Sequence, residues 1–221
     1  MEHVLFFVFS FVEFVAGLAF VLALFRLDYV EYKTHIMYSG FILTEISYLL
    51  RLGFDLEPIS LVFQMLSMIV MFILLYQFPI FSSVIMGTVG YILFGLMQMM
   101  IIVVATFLTS LTLSEINQNE IFYRGYAFQM LTSVLGFIIA WFIRRKKIGF
   151  HFLPKNKKLN LEFDTENVLI FSVMVIAVLT ILSYSIFMFD QLTATITLMV
   201  LLLVQILLLI YLANRKVKRS D

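Results

Sequence analysis

The sequence contains no cysteine, and only three of its 221 residues are proline. Without cysteine the chain has no disulfide, no thiolate metal ligand and no thiol nucleophile, which excludes every class of enzyme that depends on one. Charged residues are also scarce, at 13%, whereas hydrophobic residues make up 62% and the mean hydropathy is +1.05. This is too little polar surface to cover a soluble globule of this size. We therefore expect an integral membrane protein.

Long apolar runs fill most of the chain, and a spanning helix needs about 20 mostly apolar residues. Seven such runs predict spans at approximately 4–25, 36–53, 59–76, 81–111, 121–143, 167–189 and 192–212. No linker or repeat divides them. We predict an all-α fold in which 1–221 is one transmembrane domain, a polytopic bundle of seven helices.

Lysine and arginine are distributed unevenly between the segments that join these runs. With seven spans, one side of the membrane collects Arg26, Lys33, Arg144, Arg145, Lys146, Lys147, Lys155, Lys157, Lys158, Arg215, Lys216, Lys218 and Arg219. The other side keeps Arg51 and Arg124. Because basic residues are retained in the cytoplasm, the pattern predicts the N-terminus outside and the C-terminus inside.

Two acids, Glu13 and Glu45, fall inside apolar runs. Helical rise places both at a similar predicted depth, roughly 12–13 Å from the outer face. A carboxylate at membrane depth is costly and usually faces the bundle interior or a cavity. One interpretation is an acid pair that binds a cation, a proton or a basic ligand group, with Tyr48 on the same helix face as Glu45. The alternative is that each acid is protonated or hydrogen-bonded for packing alone.

Two arginines, Arg51 and Arg124, lie at the predicted outer boundary. Arg51 is six residues from Glu45 and therefore on another side of its helix. It either extends toward Asp55 or Glu57 in the outer turn or, together with Arg124, binds an anionic ligand group.

Two glutamines complete the candidate ligand site. Gln98 shares a helix face with glycines and aromatic residues, and Gln129 shares one with Ser133 and Gly136. Small residues on one face favour close helix packing. A polar ligand pocket is the alternative use of the two amides.

No catalytic motif is present, so we do not expect an enzyme. The three histidines lack metal-ligand spacing, and neither a nucleophile elbow nor a phosphate-binding loop occurs. We expect no metal and no cofactor.

The layout resembles the multi-span sensor region of Agr-type peptide-sensing histidine kinases of low-GC Gram-positive bacteria. The resemblance rests on the short loops, the interfacial segment from Phe25 to Tyr32, Ser47-Tyr-Leu-Leu-Arg51 and Gly90-Tyr-Ile-Leu-Phe-Gly-Leu-Met-Gln98. It implies six or seven helices in front of a cytoplasmic kinase. The 221 residues contain neither a phosphoacceptor-histidine helix nor an ATP-binding motif, which leaves a sensor domain alone or a free-standing relative.

The expected function is thus that of a sensor or accessory regulator in the cell membrane of a Gram-positive bacterium. It binds an extracellular peptide and signals through the cytoplasmic end of the last helix. The expected partners are the lipid bilayer, that peptide, a cytoplasmic or membrane kinase and a second copy in a homodimer, but no nucleic acid. The alternative is a small transporter that uses Glu13 and Glu45 at mid-membrane.

Overall fold

A computed structural model describes residues 2–54, 56–109, 122–150, 165–187 and 192–220. Within these ranges the chain forms seven α-helices and no strand. They are α1 Glu2–Leu24, α2 Lys33–Tyr48, α3 Glu57–Leu74, α4 Ile80–Thr109, α5 Phe122–Lys146, α6 Thr165–Phe187 and α7 Leu192–Ser220. A π-helical turn, Leu49–Gly53, extends α2. The predicted all-α fold is confirmed, and each predicted run corresponds to one helix.

Two of the prolines mark where helices begin. Pro58 lies in the first turn of α3, where a missing backbone N–H breaks no helical hydrogen bond. Pro79 directly precedes α4, and its carbonyl accepts hydrogen bonds from the backbone N–H and the hydroxyl of Ser83. These two prolines therefore separate helices and do not interrupt them.

Helices α1 and α5 end in the same way. At the end of α1, Arg26 has a positive φ of 57°, its N–H donates to Ala23, and the next N–H, that of Leu27, donates to Leu22. At the end of α5, Lys147 has a φ of 54°, its N–H donates to Arg144, and the next N–H, that of Ile148, donates to Ile143. Both ends are Schellman motifs with a cation where glycine is usual. A positive charge there is favourable beside the unpaired carbonyls of the helix end.

Helix α1 lies at the centre of the bundle, against α2, α4 and α5. Its second half is almost fully buried and joins α2, α3 and α4 in the main hydrophobic core. A second cluster joins α4 to α6 and α7 through Ile92, Leu96, Ala177, Leu198 and Leu202. Helix α4 therefore belongs to both cores.

Three helices are long and apolar enough to cross a membrane, in the segments His3–Leu24, Ile80–Ala105 and Gly125–Lys146. Ile59–Leu74, Phe171–Ser183 and Thr193–Leu209 are shorter apolar stretches. Large apolar side chains such as Phe142, Val204 and Leu207 are exposed on the outside of the bundle. These features fit a membrane protein with at least three candidate spans.

Some of the cations predicted to share one side lie together at one end of the bundle. Arg26 follows α1, Arg144 and Lys147 end α5, and these two helix ends are adjacent because Phe150 N–H donates to the Leu24 carbonyl at 2.8 Å. Arg51 lies at the opposite end, near the start of α1. Lys155, Lys157 and Lys158 fall outside the described residues. We call the two ends the basic end and the amino end.

Candidate functional site

The contact between α1 and α4 positions the first candidate residues. Gly90 of α4 lies against Val21 of α1, and a Cβ at Gly90 would overlap that valine's methyl groups. One turn further on, Phe94 packs on Gly17. The two helices run antiparallel at close range, so the next pair along the contact is Glu13 and Gln98. The predicted packing role of the glycine and aromatic face of α4 is confirmed.

Glu13 and Gln98 meet in this contact, where the Gln98 amide hydrogen-bonds the Glu13 carboxyl. Both side chains are partly buried. An amide is a suitable partner for a carboxyl group within a bundle, since it donates a hydrogen bond without adding a charge. The acid therefore faces the bundle interior, as a costly intramembrane group should.

A chain of hydrogen bonds beside this pair links α2, α3 and α4. The Gln64 amide donates to the Ser47 hydroxyl at 2.9 Å, and the Tyr91 hydroxyl donates to the Gln64 carbonyl oxygen at 3.2 Å. Gln64 is only 4% exposed and Ser47 only 2%. Both polar ends of a buried glutamine are thus satisfied, which removes most of the cost of burying it.

Arg51 joins the group because the π-helical turn directs it inward. Its Nε–H lies 3.4 Å from the Ser60 hydroxyl, and its guanidinium is close enough to Glu13 for the two charges to interact. They do not form a direct ion pair. The prediction that Arg51 extends toward Asp55 or Glu57 stays a prediction. Asp55 and the Glu57 side chain lie outside the described residues. We name the whole group the polar cluster: Glu13, Ser47, Arg51, Ser60, Gln64, Tyr91 and Gln98.

Glu45 lies elsewhere, in an open groove between α1 and α2 at the amino end. The groove has a volume of about 410 Å³ and is lined by His3, Val4, Phe7, Val8, Glu45 and Tyr48. Tyr48 shares a face with Glu45, as predicted, but its hydroxyl contacts His3 Nδ1 at 3.3 Å. Apart from His3, the groove is therefore apolar on the α1 side, and it is polar on the α2 side.

Of the two interpretations of Glu13 and Glu45, the acid pair is not what the structure shows, because the two residues are not brought together. Glu45 is level with Val8, five residues before Glu13 and so about 7.5 Å nearer the start of α1. Gly40 of α2 packs against Val15 and Phe11 of α1, so Glu45, five residues further along the antiparallel α2, lies beside the start of α1. The two acids face different surroundings, the interior and the groove.

Gln129 of α5 is only partly accounted for. Its backbone carbonyl accepts a hydrogen bond from Ser133 at 2.7 Å, while its side-chain Oε1 is buried with no partner among the described residues. Gly136 on the same face packs against Phe94 and Ala16, as predicted for a helix contact. The Arg124 side chain lies outside the described residues, so its predicted place near Arg51 stays a prediction.

Sequence reasoning missed four members of these sites: His3, Ser47, Ser60 and Gln64. Gln64 had a usable signal, since it is the one amide within the apolar run of α3. Ser47 and Ser60 had none, because serine is common in spanning helices without a binding role. His3 becomes relevant only when α1 and α2 pack antiparallel and bring it to Tyr48.

At the basic end, the Arg144 guanidinium donates two hydrogen bonds to Asp28, each of 2.8 Å. Hydrogen bonding to Arg144, together with the positive charge of the guanidinium, holds the pKa of Asp28 below its ordinary value. Arg144 also lies 5.5 Å from the centre of the Tyr29 ring. The pair connects the loop after α1 to the last turn of α5.

Among the described residues no three acidic or histidine side chains come together to hold a metal ion. The polar cluster instead offers one carboxyl group, one guanidinium and several neutral donors and acceptors. Such a set can bind a polar or zwitterionic group by hydrogen bonds and charge. No protein-family model, curated protein or solved structure matches the chain.

Proposed function

We propose that the protein is a membrane-embedded sensor that binds an extracellular peptide at its amino end and signals through the cytoplasmic end of α7. The proposal takes the N-terminus as outside and the C-terminus as inside, from the distribution of lysine and arginine. Its support is structural: one helix, α4, contacts both the polar cluster and α7.

Helix α4 presents different faces to the two regions. Gln98 and Phe94 contact α1, whereas Ile92 and Leu96 pack in the cluster that contains Leu198 and Leu202 of α7. A packed helix moves as a unit, so a shift at Gln98 is transmitted to the α7 contact one to two turns away. This shared helix is the observation that carries the proposal.

The polar cluster has the chemistry to bind a peptide. Glu13 and Arg51 interact through their charges but are not in direct contact. A peptide carbonyl or carboxylate can bind the guanidinium, and a peptide N–H or amine can bind the carboxyl group. The separate groove between α1 and α2 supplies an apolar surface from Val4, Phe7 and Val8 and an acid at Glu45.

The output helix is long enough to leave the membrane. Helix α7 has 29 residues and so extends about 43 Å, more than the roughly 30 Å of the hydrocarbon core. Its backbone stays helical through the basic segment to Ser220. A continuous helix can carry a rotation or a shift from the bundle to a kinase partner.

The absence of cysteine allows a direct test, because two introduced cysteines can be spin-labelled uniquely. Val30 and Leu207 are 44% and 65% exposed and suit labelling as Val30→Cys and Leu207→Cys. We expect the low-molecular-mass peptide fraction of the producing strain's medium to change the distance distribution between the labels in reconstituted protein. Arg51→Gln should abolish the change, while Lys33→Gln, on an exposed residue far from the cluster, should leave it intact.

The proposal would be contradicted if the peptide fraction left the distance distribution unchanged, or if Arg51→Gln and Lys33→Gln reduced the peptide-induced change equally. Binding of radiolabelled peptides to the same samples separates a failure to bind from a failure to transmit.

A small transporter is the second candidate, and the π-helical turn is the observation that favours it. Interrupted helices often form substrate sites in transporters, and α2 leaves its regular winding next to Arg51. This candidate predicts uptake of the same peptide fraction into vesicles under a proton gradient, with loss in Glu13→Gln. Binding and a distance change without uptake would favour the sensor.

A further inference from the structure

The last turn of α5 and the residue after it form a basic turn, Arg144–Lys147, at the basic end of the bundle. All four side chains are exposed. Arg144 is neutralised by Asp28, and no ion pair to Arg145, Lys146 or Lys147 is found within the part of the chain that the structure describes. Among the described residues, three exposed charges therefore remain without an ion pair.

The basic turn is held in place by the bundle. The N–H groups of Lys147 and Ile148 close the Schellman motif of α5, and Phe150 N–H then bonds to the carbonyl of Leu24. Gly149, with a φ of 137°, lies so close to Leu24 that a Cβ would overlap the carbonyl oxygen. The Phe150 ring packs on Phe25, with ring centres 5.6 Å apart. A fixed arrangement of charges loses little entropy when it binds.

Trp141 places this turn at the level of a membrane surface. It is 50% exposed, one turn before Arg145, whose guanidinium lies 5.2 Å from the centre of the indole ring. Tryptophan concentrates at the boundary between hydrocarbon and headgroups. Stacking on the ring also orients the guanidinium so that its N–H groups remain free to bind a phosphate.

An exposed apolar stripe on α5 leads up to the same place. Its members recur at helical spacing and each exposes more than a third of its surface: Met130, Val134, Phe137, Ile138 and Trp141. The apolar stripe ends in Trp141, and three cations follow it. This order suits a phospholipid whose acyl chains lie along the stripe and whose headgroup lies at the cations.

We propose that the basic turn, together with Trp141, is a binding site for the headgroup of an anionic phospholipid whose acyl chains lie along the α5 stripe. The phosphate contacts Arg145, Lys146 and Lys147. Charge complementarity selects an anionic lipid over a zwitterionic one, which carries its own positive group next to the phosphate. The site does not depend on the sensor function.

Trp141 is the only tryptophan in the sequence and so reports on this site alone. The test reconstitutes the full chain with equal amounts of brominated phosphatidylglycerol or brominated phosphatidylcholine and compares how strongly each quenches its fluorescence. We expect the anionic lipid to bind at least about fivefold more tightly, the effect of one cation near an anionic surface. In R145Q/K146Q/K147Q the ratio should fall to about one.

The matched control removes three cations from the end of α7, as R215Q/K216Q/K218Q, and should keep the preference of the native chain. Equal quenching by both lipids in the native protein overturns the proposal, as does a loss of preference in the control. Competition by inorganic phosphate would show a site for a soluble anion instead. No quenching by either lipid would show that a second copy covers the α5 stripe. If R145Q/K146Q/K147Q does not fold, the proposal is still tested by the quenching ratio of the two lipids in the native protein and by the competition with inorganic phosphate.

Discussion

Arg144 and Asp28 form a bidentate ion pair that joins the end of α5 to the loop after α1, and the two residues are 116 positions apart in the chain. The guanidinium Nε and Nη2 each lie 2.8 Å from a different carboxylate oxygen. Both side chains remain partly exposed, at 42% and 36%, so water and salt weaken the interaction. The pair fixes the basic turn relative to α1.

The first prediction concerns pH. Because the pKa of Asp28 is lower in the folded chain than in the unfolded one, the pair stabilises the fold above the unfolded pKa of about 4. That contribution is lost as the pH falls through the folded pKa. We expect the thermal unfolding temperature in detergent to drop more between pH 6 and pH 3 for the native chain than for Asp28→Asn. Parallel curves for the two proteins would contradict this expectation, and high salt should reduce the difference.

The second prediction concerns the contact between α1 and α4. A methyl group at Gly90 would overlap Val21, which is 1% exposed and β-branched and so has little freedom to move. We expect Gly90→Ala to destabilise the protein by about 1–3 kcal/mol, the usual cost of overpacking a core. Gly95 of the same helix has nothing within 4 Å of a new Cβ. Gly95→Ala should be neutral or stabilise by up to about 1 kcal/mol, as helix propensity predicts.

Unfolding in mixed micelles measures both glycine variants. An equal effect of the two would mean that α1 and α4 do not approach closely at Gly90.

The third prediction concerns Gln64. Gln64→Leu leaves the Ser47 hydroxyl and the Tyr91 hydroxyl without the partner that the structure gives them. We expect a loss of about 1–3 kcal/mol, the cost of leaving buried polar groups unpaired. Adding Ser47→Ala to Gln64→Leu should recover part of the loss, because one of the unpaired groups is then gone. Strictly additive effects of the two substitutions would show that they do not interact.

The fourth prediction concerns Gly149. Its φ of 137° is rarely adopted by other residues, and a Cβ would overlap the Leu24 carbonyl oxygen. We expect Gly149→Ala to cost about 1–3 kcal/mol and to expose the Phe150 amide to hydrogen exchange. Gly125→Ala, where nothing lies within 4 Å, is the control. Rapid exchange of the Phe150 amide already in the native chain would count against the contact.

Much of the fold could be predicted because apolar runs of helical length leave few alternatives. Every predicted run overlaps one described helix, and the glycine and aromatic face from Gly90 to Gln98 packs as its spacing indicates. Helix ends were harder to predict, because Arg26 and Lys147 occupy positions where a sequence search looks for glycine.

The candidate site could be predicted only in part. Intramembrane polarity identified Glu13 and Gln98, which the structure does bring together, and Arg51, predicted at the outer boundary, joins them. Glu45 lines the groove at the amino end instead. Its place depends on how α2 packs along α1, which the apolar pattern of each helix alone does not determine.

The turn at Leu49–Gly53 also has a bearing on how the amino end works. Its hydrogen bonds, such as Phe54 N–H to Leu49, enclose one residue more than those of an α-helix. If the segment tightened to ordinary winding, every side chain beyond it would swing around the axis, and the Arg51 guanidinium would leave Glu13 and Ser60. The contact of Arg51 with Ser60 therefore depends on the π-helical winding of this segment.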